Sequence, residues 1–174
     1  IPGPRAINAG DLVSVDLGVV VDGFIGDNAT TVAVGVVDAE SARLCAAGAA
    51  ALAAGIAAAR AGNRVGDIGQ AVQAVAEAAG FSVVRDYCGH GVGRRLHEEP
   101  QIPNFGKAGQ GPVLKAGMTL AIEPMINQGG CAVEVLADGW TVKTRDRRRS
   151  AHFEHTVLVT GPGPAEILTC AEMK

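Results

Sequence analysis

The chain has 174 residues, 48% of them hydrophobic and 3% aromatic, with a formal net charge of −3 at pH 7. That length fits one domain with room for a sizeable core, and the negative balance argues against a broad nucleic-acid-binding surface. No charge-free apolar run is long enough for a membrane span, and the N-terminus lacks the pattern of a signal peptide.

In chain order, Leu12 to Val21 is β-rich, Asp22-Gly23 is a two-residue hairpin signal, and Phe24 to Val34 resumes the pattern. Ala39 to Ala61 predicts a long helix, because alanine dominates and proline is absent. Asn63 to Gly66 breaks it. Asp67 is the expected cap of a second helix to about Ala79, with Ile68, Ala71, Val72 and Val75 on one face. Gly80 ends that helix and Phe81 to Tyr87 predicts a strand. Cys88-Gly89-His90-Gly91-Val92-Gly93 reads as a glycine-rich loop, and Pro100 to Gly117 as mostly loop. Strands are expected at Met118 to Ile126, Val133 to Leu136, Trp140 to Lys143 and His152 to Thr160. Two helices followed by returning strands predict an α+β fold, with helices on one face of a curved antiparallel sheet. No repeat or linker marks a second domain, so residues 1–174 read as one unit.

Cys45, Cys88, Cys131 and Cys170 are widely spaced and form no CxxC pair, as suits reduced thiols in a cytoplasmic protein. Arg145, Arg147, Arg148 and Arg149 form one basic cluster, read as a solvated turn, with RNA or ribosome contact as the weaker alternative.

Five residues carry the chemistry: Asp16, Asp27, His90, Glu123 and Glu154. Each lies in a short apolar segment that reads as buried or half-buried, where an uncompensated carboxylate is costly. One such acid is commonly a core acceptor, and one histidine in a glycine-rich loop is weak evidence for a ligand. Four acids and a histidine in one small domain call for a shared cation. With Asp22-Gly23 as the turn, Asp27 falls opposite Gly18, so Asp16 and Asp27 point to the same face as diagonal neighbours. A one-residue register slip would separate them. Glycines 18 and 26 would leave little bulk around that pair. An oxygen-rich site with one nitrogen suits Mn, Co, Fe(II) or Zn, and a metal-dependent hydrolase is the leading reading.

Several blocks together resemble type I methionine aminopeptidases over essentially the whole chain. They are Gly10 to Asp16, Tyr87 to Gly93, His97-Glu98-Glu99-Pro100, Gly117 to Met125, Asp138 to Thr144 and Phe153 to Thr156. The resemblance implies the pita-bread α+β fold and removal of the initiator methionine from nascent polypeptide N-termini, preferably before a small residue. It implies two divalent ions on Asp16, Asp27, His90, Glu123 and Glu154, with Glu123 also the general base. His97 matches a substrate-contacting histidine and Trp140 a wall of the methionine pocket; without the resemblance they would read as a loop residue and a core residue. Two departures stand out. Leu96 occupies a position where an aromatic is usual, and a family histidine just upstream of Ile1-Pro2 has no counterpart, as in an N-terminally truncated domain. Lost sheet partners would leave an exposed edge near Leu12 to Val21. A monomer without membrane or specific nucleic-acid contacts is expected. The competing readings are a related peptidase cutting before proline and a non-catalytic binding module on the same fold.

Overall fold

A computed structural model describes residues 3–170. The chain opens with the hairpin β1 (Leu12–Val21) and β2 (Phe24–Ala33). Its turn holds Asp22 at φ 50° and Gly23 at φ 79°, the paired left-handed geometry that an Asp-Gly turn supplies. Helix α1 (Ala39–Ala58) starts where the Asp38 carboxylate accepts from the Ser41 backbone N–H. It ends three residues earlier than expected, at a cap whose N–H bonds the Gly55 and Ile56 carbonyls.

Helix α2 (Val65–Ala78) starts earlier than Asp67 suggests. Arg64 is the cap, and Asp67 sits in the first turn, accepting from the Arg64 backbone N–H. The first-turn acid reaches back to an orphan donor, one half of a capping box.

The later strands are shorter than their sequence patterns. They are β3 (Ser82–Val83), β4 (Cys88–Gly91), β5 (Glu98–Pro103), β6 (Thr119–Ile122), β7 (Met125–Asn127), β8 (Val133–Val135), β9 (Val142–Thr144), β10 (Ser150–His152), β11 (Glu154–Leu158) and β12 (Glu166–Ile167). Two expected loops contain strands, β4 and β5, which pair with each other. In β4 the glycines serve close packing. A Cβ on Gly89 would overlap the Ala121 carbonyl oxygen and one on Gly91 the Glu99 carbonyl, so the missing side chains let neighbouring backbones approach.

The main sheet is antiparallel, in the order β1-β2-β11-β6-β4-β5, with β12 against β11. A second sheet runs β10-β7-β3, and β8 pairs β9. Each of two expected long strands is split between sheets: Glu123-Pro124 separates β6 from β7, and Phe153 separates β10 from β11. The two breaks are adjacent, since the Phe153 N–H donates to the Pro124 carbonyl at 3.2 Å. Both helices lie against the sheets. Leu44 and Ile56 of α1, Ile68 and Val72 of α2, and Leu120, Ile122, Ile126 and Val157 from the sheets belong to one buried core. α1 has the length and hydropathy of a membrane span, yet its Leu44 and Ala51 are fully enclosed in that core. β1 ends the order, and Val15, Leu17, Val19, Val20 and Val21 on it are exposed.

Candidate metal centre

Strand register brings the five residues together. Asp16 pairs Ala29, which also pairs Glu154; Thr156 pairs Ala121, which also pairs His90. Side chains alternate faces along a strand. Asp16, Asp27, Glu154, Glu123 and His90 therefore share one face, while Asn28, His155 and Ile122 turn to the other. Gly18 lies opposite Asp27, as the hairpin arithmetic requires. Of the two glycines expected beside the site, only Gly18 borders it. A Cβ on Gly26 would instead meet Thr169 on the opposite face.

Two hydroxyls lock these strands where regular pairing ends. The Asp27 N–H donates to Thr156 Oγ1 at 2.8 Å, and that hydroxyl donates to the Asp27 carbonyl at 2.8 Å. Thr31 does the same for His152, its Oγ1 accepting from the His152 N–H at 2.9 Å and donating to the His152 carbonyl at 2.8 Å. Threonines at strand crossings have no distinctive sequence signal.

Asp27, His90 and Glu154 are buried, and one ligand atom from each lies within 4.8 Å of the others. His90 Nε2 is 3.8 Å from Asp27 Oδ2 and 3.4 Å from Glu123 Oε1. Its Nδ1 is 2.9 Å from the Gly91 carbonyl oxygen, which only accepts, so that nitrogen holds a proton and Nε2 is left as the ligating atom. Asp16 departs from expectation. Its side chain is 56% exposed rather than buried, because it sits on the outermost strand. It lines the same cleft as the other four.

The electrostatics bear on what the site can hold. Burial, reinforced by Glu123, Asp27 and Asp16, pushes the Glu154 carboxyl up to about 9. Burial and then Asp16 also raise Asp27, against a smaller opposing effect of His90. Carboxylates so placed hold protons or a cation. A buried nitrogen, His152 Nε2, has no hydrogen-bond partner among the described residues. The acids together with His90 Nε2 form an oxygen-rich donor set that fits a divalent metal.

The cleft has a volume of about 910 Å³, and Leu96, His97 and Trp140 also line it. The His97 ring meets the His90 ring edge-on, centroids 4.4 Å apart. Trp140 is 64% exposed, which removes the core-packing reading. It lies before β9 in a turn held by the Asp138 carboxylate, which accepts from the Trp140 and Thr141 N–H groups at 3.0 and 2.9 Å. The Thr141 hydroxyl and those N–H groups hold the Asp138 carboxyl down at about 2.

Residues 1–161 match metallopeptidase family M24. The chain belongs to that family. A methionine aminopeptidase of Clostridium perfringens is 49% identical to this M24 chain over 168 residues, covering 97% of the chain and 67% of that protein. The crystal structure of a Thermotoga maritima methionine aminopeptidase superposes with a TM-score of 0.93 at 49% identity, over 96% of this chain and 67% of that one. A Pyrococcus furiosus prolidase is more distant, at TM-score 0.75 and 27% identity, over 98% of this chain and 44% of that one. The M24 chain spans 62% to 68% of the length of the curated relatives it matches. The pita-bread α+β fold is thus common to the chain and its M24 neighbours. Ile1 and Pro2, where the expected upstream histidine would join, lie outside the described residues.

The basic cluster and Cys88 lie in ordinary surroundings. Arg147 pairs with Glu134 at 2.5 Å, Arg148 with Glu40 at 3.8 Å and Arg149 with Asp38 at 2.9 Å, so these members of the basic cluster are neutralised by neighbours. Cys88 is half-buried, and burial raises its thiol above the usual range, which suits an unreactive side chain.

Proposed function

We propose that residues 1–174 form one catalytic unit that hydrolyses the first peptide bond of polypeptides beginning with methionine, preferably before a small residue. The observation that carries the reading is the five-residue face of the sheet, with Asp27, His90 and Glu154 within one metal's reach of each other. The relatives named as methionine aminopeptidases, at TM-score 0.93 against 0.75 for the prolidase, support methionine over proline chemistry.

Asp16, Asp27, His90, Glu123 and Glu154 would hold two divalent ions, drawn from Co, Mn, Fe(II) and Zn. When bound, such ions polarise the scissile carbonyl and lower the pKa of water. Glu123 takes the proton from the attacking water as general base. Its Oε1 faces His90 and its Oε2 faces His152, which restricts its rotation. His97 contacts the substrate backbone from beside His90. Trp140 and Leu96 flank the methionine side chain, and the acidic rim at Asp16 receives the free α-amino group. Glu98 accepts from the Arg95 N–H at 2.9 Å, which shapes the loop that presents Leu96 and His97.

The substrates are nascent polypeptide N-termini, and the proposed setting is a monomer in the cytoplasm with at most transient ribosome contact. The deciding experiment offers Met-Ala-Ser and Ala-Pro peptides to the Co(II)- or Mn(II)-loaded chain. Release of free methionine alone is expected. Release of alanine from Ala-Pro would make it a proline-directed peptidase, and no release from either, with metal bound, a binding module.

A further inference from the structure

His152 ends β10 one residue before the break that separates it from Glu154. Its backbone is held on both sides by Thr31. The imidazole is largely enclosed, with 17% of its side chain exposed, and it lies between two of the acids. Nδ1 is 3.9 Å from Asp16 Oδ2 and Nε2 is 3.4 Å from Glu123 Oε2. Nε2 is buried without a hydrogen-bond partner among the described residues, a costly arrangement unless a partner closes in. The other Glu123 oxygen already faces His90 at 3.4 Å.

We infer that His152 is a positioning residue for Glu123, donating from Nε2 to Glu123 Oε2 in the metal-loaded site. The inference rests on reading Glu123 as a ligand of the metal centre. Hydrogen bonds at such sites are commonly long without the bound partner and tighten with it. A donor on Oε2 settles which carboxylate oxygen turns toward the ion and which toward the proton to be taken. Outer partners of this kind typically account for about 10- to 100-fold in metal affinity or activity. His152 adds no ligand of its own in this arrangement, because its free nitrogen points at a carboxylate already committed to the site.

The test is Co(II) binding to the metal-free chain by titration calorimetry, with the visible Co(II) spectrum recorded at saturation. His152→Ala is expected to weaken binding about 10- to 100-fold, with the saturated spectrum unchanged. His152→Gln, whose amide reaches as far as Nε2, should restore most of the affinity, and His152→Asn, which stops short, should not. In a Glu123→Ala background, His152→Ala should cost nothing further. Parental affinity in both His152→Ala and His152→Asn overturns the inference. So does a loss that persists in the Glu123→Ala background, which would make the role structural, or an altered saturated spectrum, which would make His152 a ligand. Parental affinity in Glu123→Ala alone would remove Glu123 from the metal centre and overturn the reading underneath, separately from His152.

Discussion

At the scale of single residues, the site is a problem in charge. Glu154 and Asp27 are buried with their carboxyls raised, and burial is the leading cause for both. Glu123 keeps 13% of its side chain exposed and lies between His90 and His152. Glu123→Gln removes a charge and a proton acceptor while keeping the shape. It should lower kcat by about 10²- to 10⁴-fold, measured on Met-Ala-Ser with metal occupancy verified; full activity would end the dual role. His90, His97, Glu123 and Glu154 are legible in the sequence because their motif blocks are. His152 is not, because its significance is a pair of distances to residues 29 and 136 positions away in the chain.

At the scale of elements, helix α1 meets its neighbours at glycines. A Cβ on Gly55 would come within 2.8 Å of Val72 Cγ2 and 3.1 Å of Ile122 Cγ2. Gly55→Ala gains about 1 kcal/mol in helix propensity against about 1–3 kcal/mol for overpacking. The second effect should win, giving a lower urea midpoint. At the helix start, the Ser41 N–H and hydroxyl, helped by Arg149, hold the Asp38 carboxyl below the usual range. A group depressed in the folded state stabilises above its unfolded pKa and loses that contribution as pH falls through the folded value. Asp38→Ala should therefore lower the denaturation midpoint at neutral pH, and the gap from the parent should close as the pH drops below about 4. A gap unchanged at acid pH would show that the carboxylate charge is not what caps α1.

For the whole molecule, the candidate metal centre links strands from distant parts of the chain, so an ion bound there would stabilise the native state over the unfolded one. Co(II) or Mn(II) at 100 times its dissociation constant should add about 2.7 kcal/mol. The thermal midpoint should rise accordingly and fall back with a chelator, and Asp27→Ala should abolish the response. A midpoint indifferent to metal would mean that the five-residue face binds none. The exposed valines of β1 are a separate property, an apolar edge where the sheet order ends.

The sequence by itself determined the hairpin register, the two helices and the residue types of the candidate metal centre. Each of these depends on neighbours along the chain: an Asp-Gly turn sets pairing, alanine runs set helices, and motif blocks carry their acids with them. Only the tertiary structure decided where strands change sheets. Breaks at Glu123-Pro124 and Phe153 interrupt runs whose local pattern is continuous, because sheet membership depends on partners far away in the chain. The same limit explains Asp16, which reads as half-buried among apolar residues and lies exposed because its strand is outermost. Burial is a property of what packs on a strand, and local sequence does not contain it.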